Sequence, residues 1–253
     1  MKFTLPTNGV ANDSASPKRS RAVLRWCSEK WRAVLGELIS TSLLVLFGCM
    51  ACVPYEDGAA PVPGYAPLAF GFAVLFNIQA FGHISGAHMN PAVSVAAVVW
   101  GSLSPALAVF YIIAQCCGSI LGFGLLTWFT PLPLEPDAIC STLPRTGVSD
   151  AQALVVEIAL SAALMLLNCA VWDPVNGHLQ DGVPLKFGFV IAGLSFAGAH
   201  FTGASMNPAR SLGPALWNGS WESHWVYWLG PIISGVVFTL LYKHVLTKRK
   251  QED

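Results

Sequence analysis

The sequence predicts an all-α integral membrane protein with six transmembrane helices and two re-entrant half-helices, arranged as an inverted repeat. Three observations predict this fold class: a shortage of charged residues, six apolar runs, and a short motif that occurs twice. Of the 253 residues, 54% are hydrophobic and 11% are charged, whereas a soluble domain carries about 25% charged residues. The deficit indicates that lipid surrounds most of the chain.

Six runs reach or approach the length of about 20 apolar residues that crosses a bilayer. Four are long enough alone, and two become so when their glycine-rich flanks are included. The runs are 33–53, 66–81, 105–128, 153–171, 185–199 and 225–242. Because the number of spans is even, both termini are expected on the same side of the membrane.

The basic residues are concentrated at the two ends of the chain. Seven of the 14 Lys and Arg residues precede residue 33 and four lie in the last eleven positions, whereas the first inter-span loop has Glu56, Asp57 and no basic residue. Cytoplasmic flanks of membrane spans are enriched in Lys and Arg, so we expect both termini in the cytoplasm. No organellar signal is visible, which favours the plasma membrane, and the zero net charge suggests no nucleic-acid partner.

A single transmembrane domain is predicted over residues 33–245, with repeat halves at about 33–129 and 151–245. Residues 1–32 lack the apolar segment of a signal peptide and are expected to form a disordered cytoplasmic tail. Residues 246–253 form a second cytoplasmic tail.

The seven cysteines do not indicate a disulfide framework. Five of them, including Cys49, lie in apolar runs, where a free thiol behaves as a small hydrophobe. Cys27 lies in the basic tail and Cys140 in a polar loop. We therefore expect no disulfide bond, and we expect neither a metal site nor another cofactor.

The motif Asn-Pro-Ala-x-Ser occurs at residues 90–94 and again at 207–211. A Glu near the start of an earlier apolar run precedes each copy, Glu37 by 53 residues and Glu157 by 50 residues. Two halves of three spans each have opposite topology, as in many membrane transport proteins. The first three residues of the two copies are Asn90, Pro91, Ala92, Asn207, Pro208 and Ala209.

Each copy of the motif is predicted to begin a half-helix. Asn is a favoured N-cap and Pro a favoured first helical residue, and the apolar stretches end at Gly101 and at Asn218-Gly219. Ten residues at 1.5 Å each cover roughly 15 Å, half of a bilayer core of about 30 Å. Because the halves are inverted, the two half-helices should meet N-terminus to N-terminus near the membrane midplane.

This arrangement predicts how a small polar molecule would be held. Both helix dipoles point their positive ends at one spot, which disfavours cations there. The two Asn amides can donate to one oxygen, and a water held in this way cannot continue a proton-conducting chain. The irregular backbone before each half-helix, expected at 82–89 and 203–206, must be buried in protein or line a wet cavity.

The two Glu residues have two interpretations, because a carboxylate at membrane depth is costly. They could carry protons in a coupled secondary transporter, or accept hydrogen bonds from the backbone of the re-entrant loops. We expect the structural role for Glu37 and Glu157. An intramembrane hydrolase is not expected, because the sequence has no Gly-x-Ser-x-Gly motif, so the chain is not expected to be an enzyme.

Over about residues 33–245 the sequence resembles the major intrinsic protein family, the aquaporins and glycerol channels. The stretches that carry the resemblance are 83–93, 202–211, 113–115 and 227–231. The resemblance implies a homotetramer in the lipid bilayer with one pore in each subunit, permeated passively by small uncharged molecules while ions and protons are excluded.

The resemblance also implies roles for particular residues. A four-residue selectivity filter would consist of Phe70, Ser195, Ala204 and Arg210. Pore-lining backbone would come from Gly86, Ala87, His88, Gly203 and Ser205. An Arg in such a pore repels cations and donates hydrogen bonds to the solute.

Two filter positions depart from the water-selective pattern of the family. Water-selective members carry His where this chain has Ser195, and often Cys where it has Ala204. Ordinary glycerol channels carry Asp in place of Ser211 and Lys in place of Ala215, and they lack the aromatic pair at 227–228. A water-channel backbone with a widened filter resembles the insect entomoglyceroporins. The expected permeants are water, glycerol and urea, and the alternative is a strictly water-selective channel.

Overall fold

The computed structural model describes residues 17–55, 59, 61–134 and 138–247, without the side chains of 17–27 and 29. Residues 1–16 and 248–253 of the predicted tails, and the acidic pair Glu56 and Asp57, lie outside the described residues.

The described residues contain eight α-helices. In chain order they are α1 (Pro17–Met50), α2 (Tyr65–Ser85), α3 (Pro91–Trp100), α4 (Pro105–Phe129), α5 (Asp150–Trp172), α6 (Val183–Thr202), α7 (Pro208–Asn218) and α8 (Val226–Leu241). A short 3-10 helix (Pro174–Leu179) follows α5, and a π-helical turn (Tyr242–Leu246) continues α8.

Six of the helices are long and apolar enough to cross a membrane: α1, α2, α4, α5, α6 and α8. The other two, α3 and α7, have only 10 and 11 residues. The prediction of six spans and two half-helices is confirmed.

Helix α1 begins well before the predicted span. The sequence placed residues 1–32 in a disordered tail, but residues 17–32 are helical. Lys, Arg, Ala, Leu and Glu are common there, and these residues favour helix even outside a membrane. The chain divides into two units, Met1–Trp31 and Arg32–Asp253, and the site described below lies wholly in the second.

Close helix packing depends on glycines that leave room for a neighbouring backbone. The principal pairs are α2 with α6, α5 with α8, α4 with α7 and α3 with α8. On α4, a side chain at Gly118 or Gly122 would collide with the backbone carbonyls of Leu38 and Ser42 on α1. This small-x-x-x-small spacing lets the two helices approach closely, as it does in many membrane proteins.

Of the two loops that lead into the half-helices, the first is shorter than predicted and the second covers the predicted residues 203–206. Helix α2 continues to Ser85, so the irregular backbone begins at Gly86 and not at residue 82. Gly86 and Gly203 cap α2 and α6 with φ of 89° and 79°, a conformation that glycine adopts without steric cost. Each loop then reaches its Asn within four residues.

Candidate functional site

The two half-helices begin at Asn90 and Asn207 as predicted. Asn90 Oδ1 accepts from the Ala92 N–H (2.8 Å), and Asn207 Oδ1 accepts from the N–H groups of Ala209 (3.0 Å) and Arg210 (3.2 Å). Each Asn therefore caps its own helix.

The two Asn side chains also join the halves of the protein. Asn90 Nδ2 donates to the Met206 carbonyl (2.8 Å), and Asn207 Nδ2 donates to the Met89 carbonyl (2.7 Å). An amide nitrogen carries two hydrogens, so one on each side chain remains for another acceptor. Both side chains line a common cavity, and they can donate together to one oxygen there.

The loops before the two Asn residues have the same strained backbone. Ala87 and Met89 have φ of 47° and 52°, and Ala204 and Met206 have φ of 47° and 53°. For a residue other than glycine, the left-handed backbone conformation costs about 1–3 kcal/mol and persists only when surrounding contacts stabilise it. In each loop, a buried carboxylate accepts the hydrogen bonds that stabilise this backbone conformation.

Glu37 holds the first loop. Its Oε1 accepts from the Ser85 hydroxyl (2.7 Å) and the His88 N–H (2.9 Å). Its Oε2 accepts from the Met89 N–H (2.7 Å) and from Gln115 Nε2 (2.8 Å). The carboxylate is fully buried, and four donors satisfy it.

Glu157 holds the second loop in the same way. Its Oε1 accepts from the Thr202 hydroxyl (2.7 Å) and the Ser205 N–H (2.9 Å), and its Oε2 accepts from the Met206 N–H (2.8 Å). It too is fully buried. Both carboxylates accept hydrogen bonds from the re-entrant loops, and neither lines the cavity described next.

A cavity of about 130 Å³ lies along the two Asn side chains. Most of its wall is apolar, contributed by α2, α5 and α6, and includes Val74, Ile78, Leu164, Phe187 and Ile191. An apolar wall offers a polar solute no hydrogen-bond partners. The few polar groups of the lining therefore decide where a solute can form hydrogen bonds.

All four residues predicted for the filter line this cavity: Phe70, Ser195, Ala204 and Arg210. The Arg210 side chain is only 7% exposed. Its Cζ lies 4.5 Å from the centre of the Phe70 ring, and its Nη1 donates to the Cys140 carbonyl (2.7 Å). A cation over an aromatic face is attracted to the ring, so ring and carbonyl together fix the guanidinium.

The prediction of no disulfide was wrong, because Cys49 and Cys140 are bonded to each other. The sequence suggested a buried thiol in a span and a separate thiol in a loop. The loop between α4 and α5 folds back over the end of α1, and this brings the two Cα atoms to 5.4 Å. A contact between residues 91 positions apart has no local sequence signal.

The sequence profile of the family described as "Major intrinsic protein" matches residues 25–242. The chain belongs to the major intrinsic protein family. Members of this family are passive channels and not enzymes, so the protein is an aquaporin-type membrane channel.

Individual relatives agree with this assignment. The channel is 38% identical to aquaporin-4 of Mus musculus over 223 residues, which are 87% of this chain and 69% of that protein. It is 40% identical to aquaporin-2 of Bos taurus over 215 residues, which are 85% of this chain and 79% of that protein. Among solved structures, the aquaglyceroporin from Plasmodium falciparum shares the fold, with a TM-score of 0.69 at 22% identity, covering 85% of this chain and 96% of that one.

The residues predicted to line the pore of this channel divide into two groups. Gly86, Ala87, His88 and Ser205 line the cavity, but Gly203 does not. Gly203 caps α6, and a side chain on it would press against Thr142. The Pro and Ala residues of both motifs are buried in the first turns of α3 and α7 and do not line the cavity.

One polar lining residue was missed by the sequence analysis. Asn168 on α5 is 4% exposed and lines the cavity. Its Nδ2 donates to the Leu164 carbonyl (2.9 Å), and no described residue donates to its Oδ1. An amide inside an apolar span is a functional candidate by default, and that signal was present in the sequence.

Within residues 17–55, 59, 61–134 and 138–247, no group of three or more His, Cys, Asp or Glu side chains is placed to hold a metal ion.

Proposed function

We propose that the protein is a passive channel for water, glycerol and urea that excludes protons and other ions. The observation that carries the solute range is the lining of the cavity by Ser195 and Ala204, which are both small. Water-selective members of the family have the larger His at the first of these positions and often Cys at the second. Less bulk leaves room for a three-carbon polyol, and the Ser195 hydroxyl can both donate and accept a hydrogen bond.

Exclusion of cations and protons is proposed to depend on three sources of positive charge around one cavity. The N-termini of α3 and α7 both face the region of the Asn pair, and each carries about half a positive charge. Arg210 adds a full charge, and it is 7% exposed in a wall where screening by water is weak. The same Arg and Asn donors can hydrogen-bond the oxygen of an uncharged solute.

A passive mechanism is favoured over coupled transport because neither buried carboxylate reaches the cavity. Neither Glu37 nor Glu157 lines it, and each is satisfied by the loop that it holds. Flux should therefore follow the solute gradient alone, without dependence on a proton gradient.

The protein is further proposed to form a homotetramer in the plasma membrane, with one pore in each subunit and with both termini in the cytoplasm. The branch of the family is proposed to be that of the insect entomoglyceroporins. The concentration of basic residues at the ends of the chain supports the orientation. Labelling of a single Cys introduced near residue 250 in intact cells tests it, because external labelling would contradict the proposal.

The solute range is tested by stopped-flow light scattering on proteoliposomes under sucrose, glycerol and urea gradients. The variants are Ser195→His, which narrows the cavity, and Ser195→Ala, which keeps it wide but removes the hydroxyl. We expect glycerol flux in the wild type and in Ser195→Ala, and loss of glycerol but not water flux in Ser195→His. Water flux alone in all three proteins would establish the water-selective alternative.

A further inference from the structure

The Cys49–Cys140 disulfide lies beside Arg210, whose side chain lines the cavity. On one side, Cys49 is fully buried near the end of α1. Its neighbour Gly48 lies so close to the Phe70 ring that any side chain there would collide with the ring. Cys49 thus directly follows the residue of α1 against which the Phe70 ring packs.

On the other side, Cys140 is the partner of Arg210. Its carbonyl accepts from Nη1 (2.7 Å), and its sulfur lies 3.6 Å from Nη2. Cys140 has φ of 63°, a conformation that costs a residue with a side chain and that persists only when other contacts impose it. The disulfide and the Arg210 bond are two such contacts.

The loop around Cys140 is also tied to α7, the helix that carries Arg210. Asn218 Nδ2 donates to the Ile139 carbonyl (2.9 Å) and to Ser141 Oγ (3.0 Å), and Thr142 Oγ1 donates to Ser211 Oγ (2.8 Å). These hydrogen bonds therefore link the loop around Cys140, the Arg210 side chain and α7 into one body. The disulfide joins this body covalently to α1, on which Phe70 rests.

We propose that this disulfide is a clamp that sets the size limit of the pore. It holds the body that carries Arg210 against the helix that supports Phe70, and so keeps the guanidinium and the ring together. This inference rests on the proposed function of the cavity as a solute pore. When the bond is broken, the loop stays on α7 while the two sides separate, and larger polyols pass.

Breaking the bond needs a reductant. A dithiol supplies two electrons and closes into its own cyclic disulfide, and each cysteine sulfur takes up a proton. The experiment reduces the reconstituted wild type with a dithiol, then blocks the thiols with a membrane-permeant alkylating agent. The variant Cys49→Ser breaks the same bond genetically. The variant Cys117→Ser removes an exposed free thiol on α4 and keeps the disulfide, so it is the matched control.

The measurement is the permeability of the four-carbon polyol erythritol divided by that of water, a ratio independent of the amount of folded protein. We expect the ratio to rise about tenfold, the change that a barrier lowered by about 1.4 kcal/mol produces, in the reduced wild type and in Cys49→Ser. Cys117→Ser should behave as the oxidised wild type does. If Cys49→Ser does not fold, the reduced wild type alone decides.

Two results would overturn the clamp. One is an unchanged or lower ratio after reduction, with both thiols shown to be alkylated. The other is complete alkylation of Cys49 and Cys140 in protein that was never exposed to reductant. If the oxidised wild type passes water but no glycerol, the proposed solute range fails while the clamp remains testable, because reduction should then admit glycerol.

Discussion

The two halves of the channel hold their half-helices with matching hydrogen bonds. A hydroxyl donates to the carboxylate at 2.7 Å in each half, and the Met N–H donates at 2.7 Å in one half and 2.8 Å in the other. A tyrosine hydroxyl also donates to the end of the preceding helix in both, from Tyr111 to the Ser85 carbonyl and from Tyr227 to the Thr202 carbonyl. The contacts that the two halves share are therefore those that position the backbone of the re-entrant loops.

The halves differ where side chains meet the cavity. The third residue after the first Asn is Val93, and the third after the second Asn is Arg210. The residue before each Met is His88 in the first half and Ser205 in the second. Symmetric residues therefore build the re-entrant loops, and asymmetric residues give the two ends of the cavity different chemistry. Three predictions test this division, beginning with the largest expected effect.

The largest effect is expected from removing the charge of the shared carboxylates. In Glu37→Gln and in Glu157→Gln, the new amide cannot accept at its nitrogen, whichever way it turns. One backbone N–H of the re-entrant loop is then left without an acceptor in each half. A buried unsatisfied donor costs about 1–3 kcal/mol, so both variants should unfold at clearly lower temperature in detergent, and by similar amounts.

The matched control for these variants is Glu222→Gln, since Glu222 is exposed in the loop before α8 and its substitution should leave stability unchanged. If Glu157→Gln kept full stability but lost a flux that depends on a proton gradient, the carboxylate would be a coupling group. The structural interpretation would then be wrong.

The shared features were predictable from the sequence because they are repeated within it. Two copies of Asn-Pro-Ala, each at a similar distance from a Glu, specify helix starts and inverted topology, and they favour a structural role for the carboxylates. Local rules of capping then fix α3 and α7 almost to the residue.

The features that the sequence did not reveal depend on contacts made once, between distant segments. Cys49 pairs with Cys140 only because a loop folds back over α1. Gly203 was expected among the pore-lining residues but does not line the cavity, and Thr142 of that same loop packs against it. The loop has no counterpart in the repeat, so symmetry could not predict its effects.

The second prediction makes the two halves alike at the third residue after the Asn. Arg210→Val copies Val93 and removes the charge beside the Asn pair. A charge at membrane depth is worth at least about 2.5 kcal/mol on insertion scales, so we expect a rise in proton and cation leak of tenfold or more, at about 1.4 kcal/mol per factor of ten. A pH-sensitive dye trapped in proteoliposomes measures the leak.

The control for Arg210→Val is Arg145→Val, which removes a cation from an exposed position in the loop before α5. It should leave the leak at the wild-type level. An unchanged leak in Arg210→Val as well would mean that the half-helix dipoles alone exclude ions, and that the asymmetry at this position serves solute binding only.

The smallest effect is expected at Asn168, the polar lining residue on α5. Its Oδ1 is the atom on this part of α5 that can accept a hydrogen bond from a solute hydroxyl in the cavity. Asn168→Leu removes that acceptor at similar volume. A neutral hydrogen bond contributes about 0.5–1.5 kcal/mol, so glycerol permeability should fall by roughly two- to tenfold relative to water in stopped-flow measurements.

The chain offers a matched Asn for comparison. Asn77 on α2 is fully buried, does not line the cavity, and has no hydrogen-bond partner among the described residues for either side-chain atom. Asn77→Leu should therefore leave the ratio of glycerol to water permeability unchanged and raise stability, because a buried amide without partners is costly. If both variants lowered glycerol permeability equally, the effect would come from the packing of the spans, and Asn168 would not be a contact for the solute.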